Sequence, residues 1–189
     1  ADVYGNGRAE KILGKIFSNN DDVVICTKFG NTVVNNKISF SYSANYLVQC
    51  VDNSLKRLQR DYIDILLLHS PPNNIKLSLL FEKKILKLLN QKKILSFGIS
   101  CHSVDSGINF IKKYDFINHI QLNYNLLDRR AEEKLFSLAN KKSIIIIARA
   151  PYANGMIFKN NLLKNFKKND FRSRVDLDTK KWINDNIKK

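Results

Sequence analysis

At 189 residues the chain has the size of one domain, long enough to bury a substantial core. A hydrophobic fraction of 44% and a charged fraction of 26% are those of a soluble globular protein and exclude a disordered one. The net charge of +15 raises nucleic acid as a partner. The lysines, however, fall in pairs scattered from Lys83-Lys84 to Lys180-Lys181, with no finger, helix-turn-helix or aromatic-basic platform, so no specific nucleic-acid partner is expected.

In chain order, Ala1–Gly7 reads as a turn and Arg8 opens a helix capped by Asn6 or Gly7, with Ile12, Leu13, Ile16 and Phe17 on its apolar face. The run from Asp22 to Gly30 reads as a strand, and Phe29 to Ser43, rich in Asn and Ser, as a polar loop. A helix follows over Ala44 to Arg60, with Val48, Val51, Leu55 and Leu58 on one stripe. At Asp61 the period changes. Tyr62 to Leu68 is an almost continuous apolar run, the pattern of a parallel strand buried on both faces. It ends at His69, Ser70 and two prolines, so its C-terminal end presents an imidazole where α/β folds place their chemistry.

The alternation continues with a helix over Leu77 to Asn90 and a strand over Ile94 to Ser100, in which Gly98 permits close backbone approach. A helix over His102 to Lys113, a strand over His119 to Asn125 and a helix over Ala131 to Asn140 come next. Ser143 to Ala148 is the most apolar strand and runs into Arg149-Ala150-Pro151-Tyr152. Leu162 to Asp178 is polar and basic, and a last helix with Trp182 and Ile183 is expected over Thr179 to Ile187. The result is five strands, each followed by a helix, in one domain over residues 1–189.

Several exclusions sharpen this. Cys26, Cys50 and Cys101 form neither an even set nor a metal-ligand spacing, so no metal and a reducing, cytoplasmic setting are expected. No apolar run reaches the roughly 18 residues of a membrane span, and the start does not resemble a signal peptide. The lone GxG, Gly5-Asn6-Gly7, lacks a third glycine and does not open a dinucleotide-binding βαβ unit. His102 and His119 read as structural or exposed.

Several segments, in one order, carry a resemblance: Tyr4-Gly5 with Glu10, the TKFG of Thr27–Gly30, SLKRLQRDYIDILLLHSPP from Ser54, LNYNLLDRR from Leu122, and RAPYANGMI from Arg149. Together they resemble the aldo-keto reductases, oxidoreductases that use NADP(H) on a (β/α)8 TIM-type barrel. The resemblance implies a small carbonyl substrate, an aldehyde or ketone, with Tyr4, Lys28 and His69 as catalytic residues. It implies that Ser100, Cys101, Gln121, Arg149, Ala150 and Tyr152 meet the cofactor, with Cys101 where the family has asparagine.

The family's catalytic aspartate would match the second position before Ala1; Asp2 lies two residues before Tyr4 and does not match it. The Ser/Arg-rich eighth-strand segment that grips the 2′-phosphate has no counterpart. An incomplete barrel is therefore expected, with open sheet edges that invite self-association, and a chain that alone is an inactive or partial reductase. The alternative is a degenerate, non-catalytic barrel acting as a binding or regulatory partner.

Overall fold

The computed structural model describes residues 1–34 and 37–158, together with Lys167, Asp170 and Ser173. The elements, in order, are α1 (Arg8–Phe17), β1 (Cys26–Phe29), β2 (Asn31–Val34), β3 (Lys37–Phe40), α2 (Ala44–Leu58), β4 (Ile63–His69) and α3 (Leu79–Asn90). They continue with β5 (Ile94–Ser100), α4 (Val104–Lys113), β6 (His119–Asn123), α5 (Ala131–Lys141) and β7 (Ile145–Arg149). A short 3-10 segment, Ala153–Phe158, follows. The expected helix over 179–187 with Trp182 and Ile183, and most of the basic stretch over 162–178, lie outside the described residues.

Five strands form one parallel sheet in the order β1-β4-β5-β6-β7, joined by helices as the alternation predicted. Among the described residues the sheet ends at β1 on one side and β7 on the other and does not close. Because side chains alternate along a strand, the register sorts them onto two faces. Phe29, Leu66, Leu68, Phe97, Ile99 and Ile120 share the face that packs on the helices. Phe29 stacks on Phe81 of α3 at 6.1 Å, and Phe81 meets Phe97 edge-on at 6.3 Å. Phe81 is fully buried, so truncating it to alanine would cost about 3–5 kcal/mol. On the other face, His69 lies beside Ser100, and Ser100 beside Gln121, in one polar row across three strands.

Gly98 is dictated by this packing. A Cβ there would sit 2.3 Å from the His119 carbonyl oxygen, so any side chain would drive β5 from β6. Helix starts follow capping chemistry: Ser43, Ser78 and Ser103 each accept a hydrogen bond from the backbone three residues on.

Two local expectations are corrected. The polar loop after Phe29 is an antiparallel hairpin, with Asn31 opposite Phe40 and Val33 opposite Ile38. The β-branched residues flanking Asn35-Asn36 carried that signal, outweighed in the sequence by the density of asparagine and serine. The apolar stripe of α1 is also only half used. Leu13 and Phe17 pack on the core, but Ile12 and Ile16 are 47% and 63% exposed. The reason is Gly14, whose missing Cβ lets α1 press onto the Arg57 carbonyl, where a Cβ would be 2.5 Å away. That contact rolls α1 so that Glu10, not Ile12, faces inward.

Glu10 is fully buried and fully partnered. It accepts hydrogen bonds from Thr27 Oγ1 of β1, from Ser54 Oγ at 3.1 Å and from Arg57 Nε at 2.7 Å, both of α2. A buried charge held by that many donors is the condition under which burial is tolerated.

Candidate active site

The C-terminal ends of β1 and β4 and the N-terminal turn converge. Gly5, Asn6 and Gly7 all have left-handed backbone (φ 58, 51 and 82), so the chain curls tightly after Tyr4 before α1 begins. Asp2 N–H donates to the Lys28 carbonyl at 3.3 Å and ties this turn to β1. The Tyr4 ring stands edge-on to the His69 ring, centroids 5.7 Å apart at 90°. The Lys28 ammonium lies 5.4 Å from the centre of the Tyr4 ring. Phenol, ammonium and imidazole, predicted from three separated segments, therefore form one cluster.

Its electrostatics are set by burial among cations. His69 is held down to about 4 by burial first, then by Lys28, with Arg149 and His102 adding, so its imidazole is neutral at physiological pH. Lys28 is lowered by burial and, more weakly, by Arg149. Among the described residues no carboxylate lies within ion-pair distance of Lys28. The Asp2 carboxylate instead accepts from the Val3 N–H at 2.8 Å and from the Cys50 thiol at 3.6 Å. A polar cavity of about 250 Å³ lined by Asp2, Asn31, Tyr46, Cys50 and Arg57 lies beside this turn, not at the cluster.

The second half of the site is a hydrogen-bonded row along the ends of β5, β6 and β7. Ser100 Oγ donates to Gln121 Oε1 at 3.3 Å. Arg149 reaches back across the sheet: Nη1 to Ser100 Oγ and Nη2 to the Cys101 carbonyl, both at 3.3 Å, and Nε to Asn123 Oδ1 at 2.9 Å. Ala150 takes a left-handed φ of 54, and its carbonyl accepts from Asn125 Nδ2 at 3.0 Å. Tyr152 is 63% exposed beyond it.

Cys101 differs from its neighbours. Its thiol is fully buried in the apolar core, 3.9 Å from the Ile99 carbonyl, and burial pushes its pKa up to about 12. What Cys101 offers its surroundings is backbone: its N–H donates to the Gln121 carbonyl at 2.7 Å, and its carbonyl accepts from Arg149. Sequence reasoning missed Asn123 and Asn125, which fix Arg149 and Ala150. Their signal was the two-residue spacing from Gln121, which puts all three on one side of the strand and its extension.

The profile of the family described as "Aldo/keto reductase family" matches residues 1–188. The chain belongs to that family. Among curated aldo-keto reductases and their kin, it is 30% identical to aldo-keto reductase YhdN of Bacillus subtilis, covering 83% of this chain and 48% of the relative. The chain spans about half the length of the curated relatives it matches.

Among solved aldo-keto reductases, it superposes on the holo form of one from Bacillus halodurans with a TM-score of 0.74 at 30% identity, over 82% of this chain and 52% of the other. An aldo-keto reductase of Klebsiella pneumoniae solved with NADP and acetate gives a TM-score of 0.67 at 25% identity, covering 85% and 54%. The fold is accordingly that of the family's (β/α)8 barrel, represented among the described residues by five of its parallel strands. Among the described residues no helix is long and apolar enough to cross a membrane.

Proposed function

We propose that this chain carries the proton-donor and nicotinamide-contact parts of an NADP(H)-dependent reductase of aldehydes or ketones. The observation that carries the reading is the convergence of Tyr4, Lys28 and His69 beside the Ser100–Gln121–Arg149 row. That row fits the cofactor: Ser100 and Gln121 supply amide-matching donors and acceptors, and Arg149 a planar cation at the end of β7. When bound there, the cofactor supplies or accepts hydride at the carbonyl carbon.

The chain's own residues account for the other half of the reaction. The Tyr4 hydroxyl donates its proton to the carbonyl oxygen as negative charge develops on it. Lys28, a cation beside the ring, stabilises the phenolate left behind. His69, neutral because of its depressed pKa, donates a hydrogen bond to the same oxygen without competing as an acid. Ser100 and Gln121 would hold the carboxamide, Arg149 would underlie the nicotinamide, and Ala150 and Tyr152 would flank the pyrophosphate path. Cys101 takes part through its backbone.

Two features argue that the 189 residues alone turn over slowly or not at all. Among the described residues Lys28 has no carboxylate to hold its ammonium toward the Tyr4 hydroxyl, and β1 and β7 present unpaired edges that favour association with another chain. The first of these also favours a second reading, a barrel that binds partners without turnover. The test compares the chain with a chimaera in which a relative's flanking strands complete the sheet, following NADPH oxidation with a panel of aldehydes and ketones. Turnover confined to the chimaera is the expected result. No turnover by either form, with any carbonyl, would sink the reductase reading and leave the binding one.

A further inference from the structure

His69 is buried, yet among the described residues its Nδ1 has no hydrogen-bond partner. An imidazole that acts through one nitrogen is ordinarily aimed by a bond to the other. Beside the edge-on packing of Tyr4, the aim then falls to the backbone that carries the ring. That backbone is unusual: Ser70, the next residue, is a non-glycine at φ 51, in the left-handed region. Pro71 and Pro72 follow and have no N–H with which to anchor it.

Two bonds hold the Ser70 residue. Its N–H donates to the Ser100 carbonyl at 3.0 Å, extending the β4–β5 ladder by one step. Its carbonyl accepts from His102 Nε2 at 3.1 Å. His102 sits in the link between β5 and α4, which is itself fixed on either side. Cys101 is bonded to Gln121 and Arg149, and Ser103 caps α4 by accepting from the Ser106 N–H at 3.1 Å. An exposed side chain on a fixed link thus reaches across to the carbonyl of the residue that follows the buried ring.

We propose that His102 is a positioning residue for His69: its Nε2–H clamps the Ser70 carbonyl and fixes the left-handed residue that aims the His69 imidazole. Its importance for turnover rests on the reductase reading; the clamp itself does not. The full chain, labelled with ¹⁵N-histidine, provides the readout through the ring signals of His69, in wild type, His102→Ala and His102→Gln. Alanine is expected to shift or broaden the His69 signals while the far-UV spectrum is unchanged. Glutamine, whose amide N–H can reach the same carbonyl, is expected to keep them.

In a form that turns over, His102→Ala should lower kcat by about three- to tenfold, the size of one lost neutral hydrogen bond, with KM for the carbonyl within about twofold and glutamine restoring the rate. His69 signals identical in wild type and His102→Ala would overturn the clamp. Altered signals in a chain without turnover support the clamp and count against the reductase reading instead. If the alanine variant unfolds, glutamine decides: wild-type His69 signals support the clamp, and displaced ones overturn it.

Discussion

The two halves of the site are built by opposite means. On the β1–β4 side, Tyr4, Lys28 and His69 meet through ring-edge and cation–ring contacts, and among the described residues a buried His69 nitrogen is left without a partner. On the β5–β7 side, Ser100, Gln121, Asn123 and Arg149 are joined by direct hydrogen bonds, with the Cys101 backbone drawn in. On the proposed reductase reading, the difference follows from what each half would do. Groups that exchange a proton with a substrate keep donors and acceptors free for it, whereas groups that hold a cofactor gain from being fixed before it arrives.

The comparison breaks most sharply at Tyr4. Tyr4→Phe removes the free donor and nothing from the bonded row, so kcat of the chimaera should fall by about 10²–10⁴-fold while cofactor affinity stays put. An equal loss of cofactor affinity would show that the halves are not separate. Next in size is Cys101→Asn. It restores the amide the family carries, but into a thiol-sized site in the core, so a loss of about 1–3 kcal/mol in urea unfolding is expected. Unchanged stability with tighter cofactor binding would mean that this side chain turns toward the nicotinamide after all.

Arg149→Ala tests the bonded half directly. Losing the three bonds of Arg149 to the row should weaken cofactor binding roughly tenfold or more by fluorescence titration, with little change in kcat at saturation. A further effect, spread over several pH units, is on stability against pH. His69 has a folded pKa of about 4 against an ordinary 6.5, so between those values the unfolded chain binds a proton that the folded chain does not. The stabilisation from keeping it neutral is complete above about pH 6.5 and is lost as pH falls toward about 4, at no more than about 1 kcal/mol per unit. His119, lowered in the same direction by burial, adds to it. His69→Gln should flatten part of that slope in urea midpoints taken across this range; an unaltered slope would place its origin elsewhere.

Much of the molecule was legible in the chain because its signals are local. The apolar run ending at His69, the Gly98 contact and the alternation of five strands with helices each follow from residue type and spacing. Tyr4 and Lys28 were legible only through the order of several motifs, since a turn tyrosine and a strand-end lysine are unremarkable singly. What escaped depends on contacts between distant segments. The roll of α1 is set by Gly14 against the Arg57 carbonyl, and the burial of the Cys101 thiol by the apolar neighbours of its strand end. The hairpin after Phe29 was masked by asparagines and serines that read as loop.

The buried carboxylate of Glu10 has a consequence for how the molecule breathes. It accepts from β1 through Thr27 and from α2 through Ser54 and Arg57, while belonging to α1. None of the three can open alone without leaving buried polar groups unpaired, which couples their fluctuations. Tyr4 is attached to one end of that coupled group and Lys28 to its middle. Tyr4 and Lys28 therefore share a single opening event, governed by a carboxylate that bonds to neither of their side chains.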